Sequence, residues 1–122
     1  MSLEASKLYQ YASRVLGTSG MDFEEAVISA INDVSRDLRS KTELTVSVSG
    51  DSSTNVEQKS ETIDLDDQYL SVYKRGIIYY VGISGEWGRE PDQYAFMNYR
   101  RAMGEAKRLA REDEDPDVGF VR

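Results

Sequence analysis

The chain has 122 residues, 39% of them apolar and 10% aromatic, and a net charge of −7 from 22 acids against 15 bases. Neither histidine nor cysteine occurs, which excludes disulfide scaffolds, thiolate metal sites, cysteine nucleophiles and the commonest general base. The length fits one domain with its own core, and the acidic balance is opposite to that of a duplex-binding domain, whose affinity comes largely from Lys and Arg.

The opening stretch MSLEASKLYQYASRVLG has an early acid and no unbroken apolar core of signal-peptide length. The longest near-continuous apolar run, Gly76 to Ile83, is far short of the ~20 residues of a membrane span. A protein made and used in water, without a membrane partner, is expected.

In chain order, Leu8, Tyr11, Ala12 and Val15 trace one helical face between Leu3 and Leu16. Gly17 is placed to stop that helix. A second helix starts at Asp22, with Glu25 completing a capping-box-like pair. Phe23, Ala26, Val27, Ala30, Ile31, Val34 and Leu38 mark its apolar stripe to about Ser40. The period then changes to two: Leu44, Val46 and Val48 alternate with Thr45, Ser47 and Ser49. A polar, turn-rich link leads to a second extended piece ending in Glu61-Thr62-Ile63-Asp64-Leu65. The two pieces predict a long antiparallel hairpin whose polar tip projects from the core.

Asp66 and Asp67 open a third helix, where acids suit the positive N-terminal end. Leu70, Tyr73, Ile77, Tyr80 and Val81 map one face and Tyr69, Ile78 and Ile83 widen it, which predicts a central position. Glycines around Trp87 follow. Pro91 begins a fourth helix that runs to about Arg111. The expected fold class is α+β, mainly α: a four-helix core with a projecting antiparallel β hairpin and an extended C-terminal tail. Residues 1–113 form one domain, with the hairpin inserted at about 43–65, and residues 114–122 form the tail.

No catalytic, cofactor or metal site emerges. Asp64, Asp66 and Asp67 cluster where a helix start accounts for them, and the acidic run Glu112–Asp117 lacks the glycine and terminal Glu of a calcium loop. Gly82-Ile83-Ser84-Gly85 has the spacing of neither a nucleophile elbow nor a phosphate loop. Aromatics crowd the second half, on too many faces for one small core. Part of them packs inside and part is expected at a subunit interface; the interface candidates are Tyr79, Trp87 and Tyr99 with Arg100, Arg108 and Arg111. The basic residues of the last helix read either as a solvated face complementing the dipole or as one half of a charge-paired ring, the acidic tail of the next copy supplying the other. Val118, Phe120, Val121 and Arg122 put an apolar tip beyond an acidic tether, a pattern of segments that fold onto a partner, although terminal segments also simply fray.

The order of parts adds to this. A helix reading Ala26-Val27-x-x-Ala30-Ile31-Asn32-Asp33-Val34 precedes a polar β excursion. Ile63-x-Leu65-x-x-x-Tyr69 follows, then a helix with a central Gly76-Ile77, then a Tyr/Arg-rich helix running into a charged tail. Over about Asp22 to Arg111 this resembles the head–tail adaptor, or head-completion, proteins of short-tailed bacteriophages, without the extra tail-binding domain of larger members. The resemblance implies a virion structural protein at the head–tail junction, made in the host cytoplasm. It would form a homo-oligomeric, dodecameric ring between the portal protein and the tail nozzle, enclosing DNA without reading its sequence. It also implies that Val118, Phe120, Val121 and Arg122 dock on the portal. Two rival classes stay open: a small nucleic-acid-binding regulator using the basic last helix, and an enzyme using carboxylates and a divalent ion. A phage-encoded inhibitor of a host protein is a third possibility, within the same docking class as the adaptor.

Overall fold

The apolar stripe at positions 23, 27, 30, 31, 34 and 38 winds as a single helix of 22 residues, Met21–Thr42, about 33 Å long. In the computed structural model, which describes residues 2–42, 44–48, 55–83 and 93–114 (for 112–114 the backbone alone), this helix is α2. It follows α1, Ala5–Leu16, and precedes α3, Leu70–Ile83, and α4, Gln93–Glu114. The protein is mainly α with a small antiparallel β part, the strands β1, Leu3–Glu4, and β2, Thr62–Ile63. As its two-sided apolarity predicts, α3 is central, packed against α1, α2 and α4. Phe23, Leu8, Ile31, Leu38, Tyr73 and Ile77 are among the largest fully buried side chains; each buried aliphatic or Phe side chain stabilises the fold by about 1.5–3 kcal/mol.

Helix α1 ends as expected at Gly17, whose φ of 68° is left-handed. Its N–H reaches the Ser13 carbonyl at 2.8 Å, while the Ser13 hydroxyl donates to the Thr18 carbonyl at 2.6 Å. Two helix starts differ from the sequence reading. Helix α2 begins at Met21, with the Glu24 N–H on the Gly20 carbonyl at 2.9 Å, so Asp22 lies inside the first turn rather than capping it. Its carboxylate still meets the positive end of the dipole there. Asp66 precedes only a short 3-10 turn, Asp67–Tyr69, and its side chain makes no capping hydrogen bond to that turn; α3 proper starts at Leu70.

The β part also differs in its pairing. β2 takes β1 as its antiparallel partner, Leu3 opposite Ile63 and Glu4 opposite Thr62, although the sequence reading placed Leu3 in the first helix. On the other edge the two expected hairpin arms meet through the antiparallel bridge Val48–Ile63 and the bond from the Asp64 N–H to the Ser47 carbonyl at 2.8 Å. Residues 61–64 are thus held from both sides, which suits Ile63, a fully buried side chain. The described arms lie on the core: Val46, Val48, Val56 and Leu65 are all buried. The hairpin tip at 49–54 lies outside the described residues; of the expected tail 114–122, Glu114 instead closes α4, which runs three residues past the expected end at Arg111, and 115–122 lie outside the described residues.

Two polar contacts seat this excursion and the central helix on α2. The Asn32 carboxamide donates to the Val56 carbonyl at 3.0 Å and accepts from the Val56 N–H at 2.7 Å, so one side chain satisfies both backbone groups of a residue outside any sheet. Ser35 and Tyr73 share a hydrogen bond of 2.7 Å between buried hydroxyls. Burial, eased slightly by that bond, pushes the Tyr73 phenol up to about 12.

Candidate functional site

Asp37 and Lys41 continue a line along α2 that includes Ala30 and Val34, so an acid and a base stand on a flank where the helix is otherwise apolar. Opposite, α4 carries Phe96, Tyr99, Arg100, Met103 and Lys107 at the i, i+3, i+4, i+7, i+11 spacing of one face. Between them, α3 contributes Tyr79 and Tyr80. These side chains enclose a cleft of about 310 Å³.

Gly76 brings the three helices close enough to form it. A Cβ at that position would collide with Cγ2 of Val34 and would lie 2.8 Å from Cε1 of Tyr99. With no side chain on α3 there, the Tyr99 ring passes over the helix and its hydroxyl reaches α2. It donates to Oδ2 of Asp37 at 2.7 Å, and the Tyr80 hydroxyl donates to the same oxygen. Burial first, and the accepting Asp37 carboxylate second, push the Tyr80 phenol up to about 12 and the Tyr99 phenol higher still. Both therefore keep their protons at neutral pH and donate them to Asp37.

The aromatic wall is continuous. Tyr79 lies 5.7 Å from Tyr99 with the rings 23° apart, 5.4 Å from Phe96 and 5.1 Å from Tyr80. The Arg100 guanidinium sits 5.5 Å from the Phe96 ring centroid, a cation–π contact. Lys41, Arg100 and Lys107 are all exposed on the rim, and none of them forms an ion pair with a carboxylate among the described residues. The cleft presents a floor of tyrosine and phenylalanine rings, an internally satisfied carboxylate, and three cations at the mouth. Among the described residues no group of three or more acidic side chains is placed to hold a metal ion, and no helix is long and apolar enough to cross a membrane.

The sequence candidates separate in this frame. Tyr79 and Arg100 line the cleft, and Tyr99, only 5% exposed, is held inside the chain by Asp37. Arg108 is exposed and pairs with Glu105 on its own helix, and Arg111 is exposed in the last described turn of α4. Trp87, Val118, Phe120, Val121 and Arg122 lie outside the described residues. Tyr94 (75% exposed) and Met97 (50%) project from the outer side of α4, where they add to the expected surface aromatics. Sequence reasoning passed over Asp37 and Lys41; the available signal was an acid lying on an apolar stripe.

A second groove of about 440 Å³ runs between α1 and the start of α3, lined by Tyr11, Gln68, Ser71, Lys74 and Arg75 among others. There the Lys74 ammonium stands 4.8 Å over the Tyr11 ring. Comparison with known proteins assigns no family: no family model matches the chain, and no curated protein and no solved structure matches it either.

Proposed function

We propose that the chain is a virion structural protein, a head-to-tail adaptor that forms a ring between portal and tail nozzle and continues the DNA channel. The observation that carries the docking part of this reading is the apolar surface left uncovered on the single chain. Tyr94, Met97, Phe96 and, at the end of α3, Ile83 are 40–75% exposed. Large aromatics and methionines on a surface, interspersed with arginine, have the composition of an interface core. The ring and its position come from the resemblance in element order, which the helical core with its short antiparallel β excursion fits. The net charge of −7 suits the wall of a conduit that DNA must pass without sticking.

The test is the mass by light scattering of the purified protein, alone and mixed with portal rings from the same genome. A saturating gain of one adaptor per portal subunit is expected. No association at any ratio overturns the reading. The row of exposed bases on α4, Arg100, Arg101, Lys107, Arg108 and Arg111, favours the second reading, a nucleic-acid-binding regulator. Its mark is duplex binding that weakens steeply with salt, and negligible binding at low salt dismisses it.

A further inference from the structure

We infer that the cleft between α2, α3 and α4 is the socket for the acidic segment Glu112–Asp117 of a second copy of this chain, a head-to-tail contact. The inference rests on the ring reading, which it deepens by naming the surfaces that join neighbouring subunits.

The socket is built for a negatively charged, partly apolar segment. Lys41, Arg100 and Lys107 crown its mouth without a carboxylate partner among the described residues. The acid in its floor, Asp37, is occupied by Tyr80 and Tyr99. Tyr79 and Phe96 offer ring faces beside the cations. The same chain carries the complementary sequence. Glu112, Asp113, Glu114, Asp115 and Asp117 follow Arg111 almost without interruption.

A second observation comes from where those acids stand. Helix α4 runs through Glu114, so three of them occupy its C-terminal turn, where the negative end of the macrodipole disfavours acids. Cations brought against that turn remove the penalty. Two of the three cations of the chain's own socket are poorly placed to do so. Arg100 and Lys107 belong to the same rigid helix, and Lys107 lies about 10 Å below Glu114 along the axis. A helix cannot bend its last turn back onto its own flank, so Arg100 and Lys107 can meet residues 112–114 only from another copy. Such a contact is heterologous and propagates from copy to copy until rotation closes it into a ring. Residues beyond Asp117 are then left to reach a further partner.

The test uses two full-length variants with opposite reversals. One reverses the socket, Lys41→Glu, Arg100→Glu and Lys107→Glu. The other reverses the segment, Glu112→Lys, Asp113→Lys and Asp115→Lys. Circular dichroism first checks that both keep the helical content of the wild type. Sedimentation at low salt then reads the average mass. The wild type should self-associate and lose that association as salt rises. Each variant alone should remain monomeric, because its socket and segment carry the same sign. Their equimolar mixture, in which every socket meets a segment of opposite sign, should regain the wild-type mass. A mixture that stays monomeric while both variants are folded overturns the inference. So does a wild type that stays monomeric at low salt, or association that survives either reversal.

A fluorescent peptide of residues 110–122 added to the full chain supplies a second reading, with binding expected to weaken at least tenfold on socket reversal. If duplex DNA binds the wild type and loses binding on the same reversals while the peptide does not bind, the socket belongs to nucleic acid and the inference fails. Portal binding is scored separately. Recruitment by portal without the mixing rescue discards the socket and keeps the adaptor, and rescue without recruitment does the reverse.

Discussion

At Ser35 and at Asp37, two residues apart on α2, tyrosine hydroxyls reach the same helix under opposite conditions. Tyr73 meets Ser35 inside the core, hydroxyl to hydroxyl, with both side chains sealed from water. Tyr80 and Tyr99 meet Asp37 at the edge of a cleft, where two phenols converge on one charged oxygen. The sealed pair has one partner each and nothing to offer a ligand, so its part is to fix how α3 lies on α2. The open group fixes α4 as well, and it does so while leaving rings and cations accessible. In a low-dielectric interior a lone carboxylate is costly; at a half-buried edge with two donors it is tolerated and organises a surface. Position relative to the boundary of the core, more than residue type, separates the structural tyrosine from the two that shape a site.

The comparison breaks most completely at Gly76. Gly76→Ala forces a methyl group against Val34 and Tyr99, an overpacking expected to cost about 3 kcal/mol. The gain in helix propensity, at most about 1 kcal/mol, does not offset it. Urea unfolding should show a clearly lower midpoint, and an unchanged midpoint would mean that α3 and α4 separate freely. Next in size is Asp37→Ala, which removes the acceptor shared by Tyr80 and Tyr99, for a loss of about 2 kcal/mol by the same assay. Ser35→Ala should cost about 1.5 kcal/mol, because the Tyr73 hydroxyl is left buried without its partner. Here the two sites diverge in a useful way. Adding Tyr73→Phe to Ser35→Ala should recover most of the loss, since both polar groups are then gone. Adding Tyr80→Phe to Asp37→Ala should recover less, since Tyr80 is only half-buried.

Alkaline titration sharpens the contrast with the smallest perturbation. Tyr73 and Tyr80 both stand at about 12, above the ordinary 10.0 of a phenol, and Tyr99 is raised further. A raised folded-state value means the stabilisation is complete below pH 10 and is lost as pH climbs from there through 12. Phenolate absorbance from these three should therefore rise together with unfolding. Asp37→Asn should lower the rise of Tyr80 and Tyr99 while leaving Tyr73 in place, because burial alone sets the direction at Tyr73. A common shift of all three would show that the two sites are not independent.

The helical stripes were legible because period 3.6 over many residues is a strong signal, and the buried set of α2, Phe23 through Leu38, was read directly from it. Strand β1 was not legible. Two residues carry no period, and Leu3 extends the apolar pattern of α1 until Ile63 is known to lie beside it. The alternation at Leu44, Val46 and Val48 correctly gave the inward face, while among the described residues the two arms pair through the single bridge Val48–Ile63. Of the site, the aromatic crowding was visible while its anchor was not. Asp37 reads as a solvated acid until Tyr80 and Tyr99, 43 and 62 residues further on, are brought to it. Gly76 was likewise noted as a landmark, but only the crossing of α2 and α4 over it explains why the position has no side chain.

The Asn32 clamp on Val56 joins positions 24 residues apart, and it ties a backbone amide outside any sheet to a side chain whose own position is set by α2. The Val56 amide is therefore a reporter: its hydrogen exchange, compared with that of the amides of α2 and α3, measures how closely the docking of Val56 is tied to the integrity of the helices beneath it.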